Sequence, residues 1–396
     1  MPVRVLIWAP YGAGPHYWGP GHNAWRLVEH MQERYGQDCV FDLAHGFKGQ
    51  SPENAFQNRH YLSELVSGDL KSLAVFLKTA KRWLAAHARE YDVLHAVSCY
   101  DAGLLPASWF RRYNPAGMAT VRIATRGEGL WPGSLRSRLF LRHRIRRQKA
   151  KRLSAIVALS QAIESGLHAI PGLPEVVRIP NGVDTTRFAP PTPEQKRNAR
   201  KVLEIDDCFT VLFVGSISER KQPHVLVEAL TLLPASMPVV QLVLAGPTRE
   251  GTAEAHRIDA LLERTPALRT RVHQVGFRED TTVLYHSADV FALPSQKEGM
   301  SNALLEAQSS GLPALVTDVS GSADIVKHGE TGYLVRATAR EIAERIAELA
   351  GDDAKREYMG RDARARIAAS FSVESAAQQY AALWQINKRT NTLKHP

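Results

Sequence analysis

The sequence predicts an α/β protein built from two doubly wound, parallel-sheet domains. Three observations lead there. The chain has 396 residues, more than one ordinary hydrophobic core accommodates. Short β-branched or apolar runs alternate with helical stretches from end to end, the pattern of parallel strands joined by crossover helices. That series occurs twice, with a turn at Asn181-Gly182 and a stiff Pro190-Pro191-Thr192-Pro193 stretch between the two runs.

In the first series the strand candidates are Val3–Ala9, Val40–Leu43, Val93–Val97, Met118–Thr125 and Ala155–Leu159, closing at Val177 to Asp184. The second comprises Thr210–Val214, Val239–Ala245, Val272–Val275, Val290–Leu293 and Ala314–Thr317. The expected domains are residues 1–188 and 189–372. Val373, Ala376, Ala377, Tyr380, Leu383 and Trp384 recur at helical spacing, so a last helix over residues 373–390 is expected to pack back on the first domain. Two such sheets bind ligands at the carboxyl ends of their strands, which predicts an active site in a central cleft between them.

With 44% hydrophobic and 23% charged residues the composition is globular. No stretch is long enough for a membrane span, and the apolar run after Met1 is too short for a signal-peptide core. Cys39, Cys99 and Cys208 are far apart, in no metal spacing, and an odd number of thiols suits the cytoplasm. The 15 histidines are scattered, with no His-Glu-x-x-His or Asp-x-Asp, so no metal site is expected.

The net charge of +10 is unevenly placed. Residues 1–190 hold 25 Lys and Arg against 14 Asp and Glu, a net of +11, while residues 191–396 hold 25 against 26, a net of −1. Arg136 to Arg152 is densely basic, and no acid occurs between Glu128 and Glu164. A solvated helix face is one reading. The other is an anionic membrane surface, with Arg142, Arg146 and Arg147 at head groups and Leu135, Leu139, Phe140, Leu141 and Ile145 dipping shallowly. Nucleic acid is not expected, because no aromatic interleaving or nucleic-acid module accompanies the arginines.

The strongest chemical signal is Glu298-Gly299-Met300-Ser301-Asn302-Ala303-Leu304-Leu305-Glu306, directly after Val290–Ser295. Eight residues separate the two glutamates, which on a helix is roughly 80° of rotation and two turns of rise. One can sit in the loop that opens the helix while the other points from its second turn. Backbone N–H groups at Gly299, Met300 and Ser301 suit a diphosphate at a helix start, and carboxylates are natural acceptors for sugar and ribose hydroxyls. A helix that merely begins with Glu is the bland alternative.

This segment resembles the Glu-x7-Glu motif of retaining glycosyltransferases of family 4, which have the GT-B fold of two Rossmann-like domains facing a cleft. The likeness continues through Ser310–Leu315, Val214–Lys221, Leu244-Ala245-Gly246, Gly276-Phe277-Arg278, Ser287–Val290 and His328–Tyr333. In the first half it rests on the glycine-containing loop after the first strand, Asp92–His95 and Ile179–Asp184.

The resemblance implies a metal-independent hexosyltransferase that takes sugar from a nucleotide diphosphate, UDP favoured over GDP, without a cofactor. Its acceptor would be a glycan or lipid-linked sugar in cell-surface polysaccharide or glycolipid synthesis. Lys221 falls on the family's diphosphate lysine. The family's arginine is replaced by Ser216, after Gly215, and Arg220 is placed to supply that charge. Gly246 and the Gly276-Phe277-Arg278 loop would border the nucleotide, Glu306 would hold the ribose, and Glu298, with the Gly299–Asn302 stretch, would meet the transferred sugar. Gly19, Gly21 and His16 belong to a loop that lies against diphosphate and acceptor in the family. The family's histidine after the fourth strand is missing; Arg126 and Glu128 stand near its place, as a diphosphate clamp and an acceptor contact, or simply paired with each other. The implied reaction is front-face attack assisted by the leaving phosphate, with closure excluding water. A nucleotide-sugar epimerase on the same fold and a non-catalytic nucleotide-sugar-binding module are the rival readings.

Overall fold

In the computed structural model the described residues are 1–13, 19–47, 55–98, 100–124, 130, 142–248 and 251–386. His16, Cys99, Arg126, Glu128, Leu135 and residues 136–141 of the basic segment lie outside them. The chain divides into two compact units, Met1–Gly182 with Val373–Pro396, and Val183–Ser372.

The first unit begins β1 (Val3–Trp8), α1 (Pro20–Tyr35), β2 (Cys39–His45), β3 (Asn58–Tyr61), α2 (Leu70–His87) and β4 (Val93–Ala96). It continues with α3 (Asp101–Tyr113), β5 (Met118–Ile123), α4 (Arg142–Ala150), β6 (Ala155–Ala158), α5 (Gln161–His168) and β7 (Glu175–Arg178). The strands form one parallel sheet in the order β3-β2-β1-β4-β5-β6-β7. Helices on its faces explain why β1, β4 and β6 are almost wholly apolar: Val5, Ile7, Val93, Leu94, Ile156 and Val157 are all buried.

The second unit begins α6 (Pro193–Val202), β8 (Phe209–Val214), α7 (His224–Thr231), β9 (Val240–Ala245), α8 (Ala253–Arg264) and β10 (Val272–Gly276). Then come α9 (Thr282–Ser287), β11 (Val290–Leu293), α10 (Asn302–Ser309), β12 (Ala314–Thr317), α11 (Ser322–Ile325), β13 (Gly332–Val335), α12 (Ala339–Gly351) and α13 (Asp353–Ser370). Its parallel sheet has the order β10-β9-β8-β11-β12-β13. Both sheets therefore wind outward in two directions from an inner pair, β1/β4 and β8/β11, the Rossmann arrangement. Asp289, at the foot of β11, is buried and takes Arg200 at 2.8 Å, Lys196 at 2.6 Å and the Thr210 amide at 2.8 Å. This fastens α6 beneath the β8/β11 pair.

The division falls at Gly182, six residues ahead of the expected junction at 188. Local bonding accounts for the shift. The Val183 amide donates to Phe371 at 2.9 Å, and the buried Phe188 ring packs edge-on against Tyr285 with centroids 5.6 Å apart. The proline stretch is not a free spacer either: Thr192 opens α6 with a capping box, its hydroxyl accepting from the Gln195 amide.

Helix α14 (Val373–Leu383) lies on the first unit. Ala377, Tyr380, Ala381 and Trp384 share a core with Val5, Ile7 and Phe41, and Trp384 sits 6.2 Å from the Phe41 ring. Among the described residues no helix is long and apolar enough to cross a membrane.

Candidate active site

In the second sheet the winding direction reverses between β8 and β11. Loops leaving such a pair head to opposite sides and open a crevice at the strand ends. Both loops carry residues singled out from the sequence.

The loop after β8 runs through Gly215, Ser216, Arg220 and Lys221. The amides of Lys221 and Gln222 both donate to the Ser218 carbonyl, at 2.9 and 3.0 Å, a tight turn that sends the Lys221 side chain inward, where it is 10% exposed. From the loop after β11, the Gln296 amide donates to the Arg220 carbonyl at 2.9 Å, tying the two loops together. Glu298 then meets both cations on one oxygen: Lys221 Nζ at 2.6 Å and Arg220 Nη1 at 3.2 Å from Oε1. Arg220 Nη1 also donates to the Lys297 carbonyl at 2.9 Å.

Burial pulls the Lys221 ammonium below its ordinary range; the Glu298 carboxylate pulls it up, and Arg220 lowers it further. Two cations and one carboxylate leave a net positive charge in the crevice. An anionic group arriving here finds one half-exposed guanidinium and one buried ammonium already fixed in place. The paired, inward-turned Lys221 is not the ordinary solvated lysine that a Glu-Arg-Lys surface turn would carry.

Glycines bring the backbones close. A Cβ on Gly246, after β9, would lie 2.0 Å from the Gly215 carbonyl oxygen, so only glycine permits this crossing of the β8 and β9 exits. Gly246 N donates to the Gly276 carbonyl at 2.8 Å, and Gly276 has φ +66. These contacts line up the ends of β8, β9 and β10 and leave Phe277 half exposed, with Arg278 partly buried. Gly321 plays a similar part opposite: a Cβ there would lie 2.0 Å from the Gly299 oxygen and 2.8 Å from Met300 Cα.

One expectation needs correction. Helix α10 starts at Asn302, with Ser301 as its N-cap accepting from the Leu304 amide. Gly299, Met300 and Ser301 therefore precede the helix, Met300 is buried, and the first-turn amides of the helix begin at Asn302. Glu298 is on the loop and Glu306 in the second turn of α10, as their spacing indicates. Glu306 is buried at 8% exposure and accepts a hydrogen bond of 2.9 Å from the hydroxyl of fully buried Tyr285 on α9.

Tyr285 and Gly321 are the residues that sequence reasoning missed. Tyr285 lies inside an apolar helical run, and nothing local marks a tyrosine whose hydroxyl meets a carboxylate 21 residues on. Gly321, between two serines, had only the look of a turn.

In the first unit Gly19 has φ +62 and caps α1 ahead of Pro20, and Gly21 is buried in the first turn. Both lie past the end of β1, at that sheet's own reversal point. His16, Arg126 and Glu128 are outside the described residues.

Comparison with known proteins agrees with this geometry. The family described as Glycosyl transferases group 1 matches residues 194–366, and Glycosyltransferase Family 4 matches residues 19–187. A D-inositol 3-phosphate glycosyltransferase of Corynebacterium urealyticum is 28% identical over 79% of this chain and 76% of its own. A UDP-Gal:alpha-D-GlcNAc-diphosphoundecaprenol alpha-1,3-galactosyltransferase of Escherichia coli is 30% identical over 49% of this chain and 50% of its own. The chain spans about half the length of several further curated relatives. Among solved structures, Anabaena HepE in complex with UDP-glucose superposes with a TM-score of 0.76 at 20% identity, over 96% of this chain and 99% of that one. Two family matches that between them span most of the sequence, two Rossmann sheets and the Glu298–Glu306 spacing converge: the chain belongs to glycosyltransferase family 4 and has the GT-B fold.

Proposed function

We propose that the protein is a retaining, metal-independent glycosyltransferase that moves a sugar from a UDP-sugar to a glycan or lipid-linked acceptor in cell-surface polysaccharide or glycolipid synthesis. The observation that carries this reading is the convergence of Lys221 and Arg220 on Glu298 at the β8/β11 reversal. Charge builds on the leaving diphosphate as the glycosidic bond breaks, and two fixed cations are the groups that stabilise it. Arg220 takes the role that Ser216 leaves open. Glu306, oriented by Tyr285, accepts from the ribose hydroxyls, and Glu298 faces the transferred sugar. The UDP preference is supported by the UDP-glucose bound to HepE and the UDP-Gal named for the Escherichia coli relative.

The test is incubation with UDP- and GDP-sugars in excess chelator, with the anomeric configuration of the product read by NMR. Retained configuration and undiminished turnover are expected. Activity abolished by chelator and restored by Mn²⁺ sinks the metal-independent reading, and donor altered without any acceptor points to epimerisation.

The first unit is also proposed to face an anionic membrane on the cytoplasmic side, with a correction to the residues involved. Arg146 forms a forked pair with Asp101 at 2.7 and 2.9 Å, and Arg147 Nε donates to the Leu130 carbonyl at 2.7 Å. Those two arginines hold α4 to its unit. Arg144, Ile145, Lys151 and Arg152 are the exposed residues available to head groups. Each such cation contributes about 1 kcal/mol near an anionic leaflet. Wild-type protein is expected to co-sediment with anionic vesicles at low salt, and Arg144→Gln, Lys151→Gln, Arg152→Gln together to abolish it; no binding at low salt ends this proposal.

A further inference from the structure

The first unit contains a pocket of its own with several polar side chains in its wall. It is a cavity of about 30 Å³ between α1, the ends of β4 and β5, the Pro180–Gly182 turn and α14. Its polar lining comprises Asn23, Arg26, His95, Arg122, Asn181 and Tyr380. Among the described residues no Asp or Glu lines it.

Arg122 sits on β5, an interior strand, and is 5% exposed. Its Nη2 donates to the Asn181 side-chain oxygen, whereas Nη1 is buried and has no hydrogen-bond partner among the described residues. A buried guanidinium without a counter-charge costs several kcal/mol, and a half-paired one costs more than none. The neighbours do not supply the missing charge. Asn181 is neutral and Arg26 adds a second cation to the wall. Tyr380 is held protonated by burial, its hydroxyl pushed up to about 12. His95 is held neutral by burial and by Arg122 itself, pushed down to about 3. Its Nδ1 lies 2.8 Å from the Thr120 hydroxyl; if that hydroxyl donates, Nε2 carries the proton and is a further donor. The Asn23 side-chain oxygen also has no partner among the described residues, and turning that amide end for end presents its NH2 instead.

We propose that this pocket binds a small carboxylate, whose charge completes Arg122. The space selects the class: one water occupies about 10–15 Å³ on this measure, so the cavity takes roughly two waters. That suits the three heavy atoms of a carboxylate group better than a tetrahedral phosphate. A planar pair of oxygens also matches the guanidinium fork. The inference goes beyond the glycosyl-transfer reading and does not depend on it.

The test is thermal unfolding of the full chain in sodium formate titrated against sodium gluconate at constant ionic strength, because the hydroxyl-bearing carbon beside the gluconate carboxylate cannot follow it into so small a cavity, whereas succinate carries an unsubstituted CH2 there. A rise in Tm that sets in near the dissociation constant and then grows with the logarithm of formate concentration is expected, about 3 °C at a hundredfold excess over that constant. It should persist in Lys221→Met, which removes the cation of the other site, and vanish in Arg122→Met. Acetate and then succinate separate two sources: a response confined to formate and acetate indicates a free small acid, whereas a response to succinate indicates the end group of a longer ligand. Should Arg122→Met fail to fold, bromide-soaked wild-type crystals give the second readout, with an anomalous peak expected at the Arg122 guanidinium. Equal Tm in formate and gluconate, or a crystal pocket holding only water, overturns the proposal.

Discussion

The Lys221–Glu298 pair can be separated into its structural and chemical parts by a double-mutant cycle. Both side chains are nearly buried, at 10% and 8% exposure, and stand 2.6 Å apart. Lys221→Met leaves the Glu298 carboxylate with only the half-exposed Arg220 at 3.2 Å. Glu298→Gln leaves the ammonium beside a neutral amide and Arg220. Breaking a buried pair from one side costs about 3–5 kcal/mol. Here Arg220 retains part of the compensation for Glu298, so about 3 kcal/mol is expected for Lys221→Met. Glu298→Gln costs slightly less, because the amide oxygen still accepts. With both charges gone the desolvation penalty disappears too, so the double variant should recover about 2 kcal/mol relative to the sum of the singles. Urea unfolding measures these differences. Turnover behaves otherwise: all three variants lose activity, and the double variant is as inactive as the worse single. A double variant whose stability loss equals the sum of the singles refutes the pairing. One that regains activity with stability refutes the chemical role of these residues.

Glu306→Ala should weaken binding of the parent nucleotide diphosphate by about 1.5–3 kcal/mol in calorimetry, whereas Glu298→Ala should spare it and depress turnover. Tyr285→Phe should show a weaker form of the Glu306 defect, and unchanged affinity in both variants removes Glu306 from the site. Gly321→Ala drives a methyl into the Gly299 backbone; the loop must shift, so turnover falls well before the fold does, and a variant with wild-type turnover shows that this approach is not needed. His95, pushed down to about 3 in the fold mainly by burial, takes up a proton below about pH 6.5 only in the unfolded chain. Stability therefore declines as pH falls from about 6.5 towards 3, by about 1.4 kcal/mol per pH unit from this group. Urea midpoints across pH 7 to 5 should flatten in His95→Gln, and parallel profiles for the two proteins exclude His95 as the source.

Apart from the edge strand β10, the strands readable from sequence were those with two buried faces. β1, β4, β8 and β11 lie inside their sheets and read as continuous apolar runs. The strands outside the predicted set, β3, β7 and β13, all lie at sheet edges, where one neighbour suffices and half-exposed side chains are tolerated. Asn58-Arg59-His60-Tyr61 pairs in register with Asp42–His45, yet offers no apolar pattern to find. The division into units falls six residues from the expected junction for a related reason: prolines at 190, 191 and 193 signal stiffness, but only tertiary bonds such as Val183 to Phe371 decide to which unit a stiff segment belongs.

The candidate site was legible to the extent that its residues are contiguous with strand ends. Lys221 and Glu298 are 77 residues apart in the chain, but each follows an inner strand of the same sheet, and the reversal of strand order makes those two loops neighbours. Motif and topology thus locate the pair together. What they leave open is the direction in which a side chain is used. Glu298 was read as a sugar contact, and the structure shows it holding both cations on one oxygen. These roles are compatible, because a carboxylate has two oxygens and several lone pairs. The contact that orients Glu306 and the half-paired Arg122 guanidinium are of another kind. Each depends on where a long side chain ends after folding, and a tyrosine in a helix or an arginine in a strand carries no local sign of it.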